Sequence, residues 1–460
     1  MSARSQTASP NQAVTQLSAT VDLHALHRLN PDRYPFLLQS TGAATAFGRF
    51  DILFAFPGET LILEAPGQLT GHVAKGEHEF LSALDQWWLE ERRDADDSEL
   101  PFTGGWFLYL GYELAAEVEP GLDLRQDPIM PTALAVRCPG ALILDHLDDR
   151  CYFVAELSSG IDAAMIAADV VACQALDDNA PRPETDRPLV NEEQPSLFLD
   201  AVCMAQQYIA QGDIYQANLS RIWSATVDGD LDADQIYDSL CRTNPGPFAG
   251  LVRWQGASVI SSSPERLIQV RNGVISTRPI AGTRPRSDDK LVDDSLLAEL
   301  IAHPKERAEH VMLIDLERND IGRVCKPGTV EVNEMMIVES YAHVHHIVSN
   351  VRGLLRNDVT PGETIRAVFP GGTITGCPKV RCMEIISELE SGPRGAYTGS
   401  FGYLNRDGSL DLNILIRTIV MRGNNITLRA GSGIVADSEP DAELMETRAK
   451  AKGLIRALSL

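Results

Sequence analysis

The chain predicts an α+β fold with a largely antiparallel sheet, and three observations carry that prediction. Helical periodicity alternates with groups of short strands rather than with single strands, so the regular βα succession of a parallel barrel or a doubly wound sheet is missing. Turn residues such as Pro57-Gly58 separate neighbouring apolar runs, which reads as hairpins. The 460 residues exceed one ordinary core, so one large interleaved unit or two domains are expected.

The elements follow in order. Residues 1–20 are rich in Ser, Thr, Gln and Ala and lack an apolar signal-peptide core, so they read as a disordered tail. In an N-terminal region over 21–176, segments 34–40 and 48–56 are strands, and 59–64 closes a hairpin on the second of them. Phe80, Leu81, Leu84, Trp88 and Leu89 give 78–93 helical spacing. The glycine-flanked aromatic run 103–112 is a buried strand, 133–157 a hairpin and 161–176 a helix. Proline and acidic residues without apolar partners make 177–195 a linker. The C-terminal region, 196–460, opens on a helix over 196–211, followed by Gln216-Ala-Asn218, a helix near 232–242 and strands at 249–254, 257–262 and 266–280.

Composition narrows the function. Apolar residues at 44% and charged residues at 23% describe a soluble globular protein. A net charge of −24 argues against a nucleic-acid partner. No apolar run approaches the roughly 18 residues of a membrane span. Eight cysteines without a C-x-x-C pair fit a reduced, cytoplasmic protein.

The chemistry gathers in the last sixty-odd residues. Tyr397 opens a strand that carries an aromatic hydroxyl, Arg417 interrupts an apolar strand, and Gly431 and Gly433 form a turn where a ligand can reach backbone N–H groups. On the helix that follows, Glu443, Glu446 and Lys450 share one face. A second helix repeats the paired carboxylates with Glu306 and Glu309. Oxygen ligands of this kind suit Mg²⁺, one glutamate from each helix binding it and the others standing behind, with positions left for a substrate carboxylate.

Three further stretches qualify. Glu265, at a strand end in Ser263-Pro-Glu265-Arg, is a candidate general acid or an ordinary exposed turn residue, and enclosure would decide between them. His345 and His346 point to opposite faces of a strand, which disfavours zinc and leaves one of them buried near a ligand. The loop Gly371-Gly-Thr373-Ile-Thr-Gly-Cys377-Pro-Lys379 precedes a helix at 378–390 and could bind an anion, although it is no Walker A motif. Cys377 lacks a nucleophile elbow and reads as a packed thiol.

With these pieces in place, residues 196–460 resemble the chorismate-binding enzymes, a family that includes anthranilate, aminodeoxychorismate, isochorismate and salicylate synthases. The likeness runs through Ser263-Pro-Glu265-Arg, Arg278-Pro-Ile-Ala-Gly-Thr283, Arg307-Ala-Glu309-His, Arg318-Asn-Asp-Ile-Gly-Arg323, His345-His346-Ile-Val-Ser, Thr373-Ile-Thr-Gly, Ile416-Arg417-Thr and Glu446-Thr. Within the family, the component I subunits of aminodeoxychorismate synthase are the best match, with anthranilate synthase component I the near relative.

The resemblance implies a two-sheet antiparallel sandwich flanked by helices. It implies Mg²⁺ on Glu309 and Glu446, supported by Glu306 and Glu443. Chorismate carboxylates would meet Tyr397, Arg417, Gly433 and Lys450, with Gly431 and Thr283 beside them. Thr373 and His346 would line the ring, and Glu265 would protonate the departing C4 hydroxyl. An ammonia-supplying glutamine amidotransferase subunit is implied as partner. Ser40, Asn244, Pro245 and Phe248 match a tryptophan pocket, with Gln39 where anthranilate synthases favour glutamate. One departure stands out: aminodeoxychorismate synthases often carry a lysine nucleophile where this chain has Ala281, as anthranilate synthases do.

Overall fold

The computed structural model describes residues 12–17, 21–41, 48–95, 98–174, 188–227, 231–287, 289–340 and 344–459. Two antiparallel sheets, of twelve and eleven strands among these residues when the side branches Gly376–Cys377 and Glu331–Ser340 are included, face each other with helices outside. The first runs from Gln12–Gln16 through Arg150–Glu156, Gly140–Asp145, Phe50–Ala55, Phe36–Gln39, Phe248–Trp254, Ala257–Ser263, Thr418–Arg422, Asn425–Ile434 and Gln216–Thr226 to Val190–Glu192. The second places Ile280–Pro285, Val344–Leu354, Val274–Thr277, Arg266–Arg271, Leu410–Asn413 and Ser400–Asn405 beside Gly105–Leu110, Ala133–Cys138, Thr60–Leu63 and Leu69–Gly71. Both sheets therefore interleave strands from before and after the segment 177–195.

Alternation along the strands sets the layers. Phe36, Phe54, Phe107 and Tyr109 point inward to the core between the sheets, where the Phe36 and Phe107 rings stack at 4.0 Å. Their neighbours Leu37 and Leu53 face the helices Leu23–Leu29, Ala233–Thr243 and Pro440–Ala457 outside the first sheet. Trp106 and Leu108 face the helices Phe80–Glu91, Pro304–Gly322 and Pro361–Val368 outside the second. The 103–112 run is accordingly buried on both faces, as its aromatic content predicts.

Four expectations need correction. The 48–56 and 59–64 strands are not a hairpin: Phe50–Ala55 pairs with Phe36–Gln39 and Gly140–Asp145, whereas Thr60–Leu63 belongs to the other sheet. Phe56, at φ 59°, begins the corner that carries the chain from one sheet to the other. Residues 266–280 hold two strands, because Asn272-Gly273, both at positive φ, makes the two-residue turn of a hairpin. Within the expected tail, Gln12–Gln16 pairs with Arg150–Glu156 at the sheet edge; the rest of that segment, 1–11 and 18–20, lies outside the described residues. Within the expected linker, Val190–Glu192 pairs with Gln216–Thr226 and Pro195 starts a helix, while 175–187 lies outside the described residues. Edge pairing supplies the backbone partners that these polar segments cannot announce by composition.

Candidate active site

The strand Asn425–Ile434 is the platform. Gly431 and Gly433 lie within it, opposite Ser220 and Asn218 of the neighbouring strand, and not in the turn the sequence suggests. Two residues apart, they share a face. That face is crowded: a β-carbon on Gly431 would stand 2.6 Å from Asn218 Oδ1 and 2.7 Å from the Tyr397 hydroxyl, and one on Gly433 would stand 2.5 Å from Gln216 Nε2 and 3.7 Å from Glu309 Oε1. Glycine is thus required for the close approach of Asn218, Tyr397 and Gln216 to the strand. Tyr397 itself precedes the strand Ser400–Asn405, so the aromatic hydroxyl comes from a turn.

One cation reaches the platform and a second stands near Glu265. Lys450, on the helix Pro440–Ala457, donates to the Gly431 carbonyl at 3.0 Å and pairs with Glu446 at 2.8 Å. Arg417 sits at φ 52° between two strands, its carbonyl accepting from the Ser262 N–H. A non-glycine residue in that region costs of order 1 kcal/mol and marks a site where geometry is imposed. Burial lowers the Arg417 pKa from its ordinary value, and the Glu265 carboxylate opposes that shift.

Glu265 is enclosed, at 6% exposure. Burial pushes its pKa up to about 7, against the Thr373 hydroxyl, the Ile280 backbone, Arg417 and Lys450. A carboxyl that keeps its proton near neutrality can serve as a general acid, so the bland turn reading is excluded. Tyr397 stays a neutral donor, its pKa raised by burial to about 12. Behind its ring Glu390 bridges the buried guanidinium groups of Arg394 and Arg429 at 2.6 and 2.9 Å.

Both histidines are buried, so burial alone does not single out one of them. His345 is held between Ser340 and Asp293, a structural assignment. His346 meets the Thr283 hydroxyl at 2.8 Å, and burial lowers its pKa to about 4, so it is neutral at working pH. Lys379, which the loop's sequence offers to an anion, is committed to Asp320 and to the Val368 carbonyl. Burial raises the Cys377 thiol pKa, in keeping with a packed group.

The four glutamates are placed on two helices. Glu309 accepts from Gln216 at 3.0 Å, Glu306 is paired with Arg284 at 2.6 Å, Glu443 accepts from Ser438 at 2.7 Å, and Glu446 is half-exposed beside Lys450. Among the described residues no three His, Cys, Asp or Glu side chains converge tightly enough to enclose a metal. What remains open is an oxygen-rich surface: Glu306 Oε2, Gln216 Oε1 and Asn218 Oδ1 are buried without a protein partner. Oxygen donors with spare capacity fit Mg²⁺, which uses one or two carboxylates and keeps several waters.

Gln216 and Asn218 are the residues the sequence reading quoted without a role. Their signal was present: two amides, two apart, at the start of one face of the strand.

A cavity of about 400 Å³ opens between the sheets, lined by Gln39, Arg49, Phe248, Arg266, Tyr403 and Asp411 among others. Of the four residues expected in a tryptophan pocket, Phe248 lines it. Ser40, Asn244 and Pro245 do not: the Ser40 N–H is bonded to Asp51, and Asn244 ends a helix and packs on Gly453. No described helix is long and apolar enough to cross a membrane.

A buried carboxyl beside two cations, next to a strand of bare glycines, is an arrangement that can hold an anionic ligand and give it a proton. The chain belongs to the chorismate-binding enzyme family, whose sequence pattern matches residues 33–456, and it is therefore a chorismate-utilising enzyme. It is 43% identical over 361 residues to an anthranilate synthase component I-like protein of Synechocystis sp., covering 78% of this chain and 73% of the relative. It is 39% identical over 385 residues to aminodeoxychorismate synthase component 1 of Bacillus subtilis, covering 81% of each. Among solved structures, anthranilate synthase component I from Streptococcus pneumoniae superposes with a TM-score of 0.78 at 31% identity, over 90% of this chain and 93% of that one.

Proposed function

We propose that this chain is the chorismate-aminating subunit of an aminodeoxychorismate synthase, forming 4-amino-4-deoxychorismate from chorismate and ammonia in p-aminobenzoate and folate biosynthesis. The observation that carries the reading is the enclosed Glu265 carboxyl beside Thr373, Arg417 and Lys450. Glu265 donates its proton to the C4 hydroxyl, turning a poor leaving group into water. Tyr397, Arg417, Lys450 and the backbone of Gly431 and Gly433 orient the two substrate carboxylates with Thr283 beside them, while Thr373 and neutral His346 line the ring site. Glu309 and Glu446, with Glu306 and Glu443 behind, would hold Mg²⁺, which would supply charge neutralisation for a substrate carboxylate. Ammonia comes from a glutamine amidotransferase subunit, and a bound tryptophan would occupy the cavity at Phe248.

A second reading, anthranilate formation, is favoured by one residue. Ala281 is buried on the strand Ile280–Pro285 and cannot act as a nucleophile. The deciding experiment incubates the purified chain with chorismate, Mg²⁺ and ammonium at mildly alkaline pH, with and without aminodeoxychorismate lyase. Production of p-aminobenzoate only when lyase is added supports the first reading; anthranilate without lyase overturns it.

A further inference from the structure

Behind the Tyr397 ring, one side chain is bonded to three of the segments that form the site. Arg394 is 4% exposed, and all five N–H groups of its guanidinium are used. Two of them hold Glu390, Nε to Oε2 at 3.1 Å and Nη2 to Oε1 at 2.6 Å. The others donate to the Asn218 carbonyl at 2.7 Å, the Ile374 carbonyl at 3.1 Å and the Thr398 hydroxyl at 3.3 Å. Those acceptors belong to the strand Gln216–Thr226, to the turn Gly372–Ile374 that carries Thr373, and to the turn that carries Tyr397. The guanidinium also lies over the Tyr397 ring at 5.5 Å and over the Tyr112 ring at 4.9 Å.

Glu390 extends this link to the glycine platform, because its Oε2 accepts from Arg429 at 2.9 Å. Arg429 stands two residues before Gly431 on the strand Asn425–Ile434, hence on the same face. We infer that Arg394 is a positioning residue for the chorismate site: its planar fork fixes the spacing between Tyr397, the Thr373 turn and the Asn218 strand. Charge alone cannot do this. A lysine in its place keeps a cation opposite Glu390, but it brings three donors to one point and has no plane to lie on the tyrosine. The role rests on Tyr397 being a substrate contact, as proposed above.

The test is a double-mutant cycle on chorismate consumption by the full chain, with wild type, R394K, Y397F and R394K/Y397F, each rate taken per folded molecule from urea unfolding. R394K should lose roughly thirty- to a hundredfold in kcat with a smaller change in KM, because misplacing site groups by about 1 Å costs on that scale. In the Y397F background the same substitution should cost at least about threefold less, since the hydroxyl it positions is already gone. A role confined to stability leaves the rate per folded molecule unmoved, and a role independent of Tyr397 gives equal losses in both backgrounds; either result overturns the inference. If Y397F itself keeps the wild-type kcat and KM, Tyr397 is not a substrate contact, and the positioning role falls with that assignment. Should R394K fail to fold, T398V serves. It removes the one hydrogen bond from the fork to the turn, and its loss in kcat, roughly three- to tenfold, must again shrink in the Y397F background; an unshrunken loss or no loss overturns the inference.

Discussion

The Lys450 ammonium bonds the carbonyl oxygen of Gly431 at 3.0 Å, tying the last helix to the glycine strand through a backbone atom. The same group pairs with Glu446, so one cation links the expected metal carboxylate to the expected anion site. Lys450→Met should raise the KM for chorismate by about tenfold or more with a smaller loss in kcat, because a charge that binds ground and transition states alike is removed. Steady-state kinetics at saturating Mg²⁺ checks this split.

Gly431→Ala and Gly433→Ala should differ. At 431 a β-carbon meets the Leu219 carbonyl at 2.7 Å, backbone that cannot yield; at 433 it meets the end of the Gln216 side chain, which can. We expect roughly a hundredfold loss in kcat/KM for the first and about tenfold for the second, from misplacement of bound substrate. Equal losses would show that both positions act only by occupying the ligand's space.

Glu265→Gln should abolish turnover while stabilising the fold at alkaline pH. The folded pKa of Glu265 is raised to about 7 from 4.5, so its protonated form contributes stability fully below pH 4.5, and that contribution is lost as pH rises through about 7. The difference corresponds to about 3 kcal/mol at most. Thermal melts at pH 5 and pH 8 measure it: the variant's Tm advantage should be larger at pH 8, and an advantage independent of pH would refute the enclosed-acid account.

Glu390→Gln should cost about 3–5 kcal/mol, since Arg394 and Arg429 would lose the carboxylate that neutralises them in the interior. Urea unfolding gives the value directly. Because Arg394 lies over the Tyr397 ring at 5.5 Å, activity should fall together with stability.

Metal removal tests the glutamate pairs. Chelation by EDTA should stop chorismate consumption and added Mg²⁺ restore it. Calorimetric titration with Mg²⁺ should show weakened binding in Glu309→Gln, by about tenfold or more, whether or not the variant turns over. Unchanged affinity would remove Glu309 from the ligand set.

Much of this protein was legible in its residue order. Alternation in Phe36-Leu37 and Trp106-Phe107-Leu108 announces strands with two apolar faces, and helical spacing places Glu306 with Glu309 and Glu443 with Glu446, because these patterns depend on local geometry alone. The same holds for Glu265 at a strand end and for the opposed faces of His345 and His346. Sheet membership was not legible. Phe50–Ala55 and Thr60–Leu63 are neighbours in sequence and part company in space, since a corner at Phe56 sends them to different sheets. Nor could sequence place Gly431 and Gly433 inside a strand or commit Lys379 to Asp320. Each of those depends on which side chains arrive from more than forty residues away, and only the packing of two interleaved sheets brings them there.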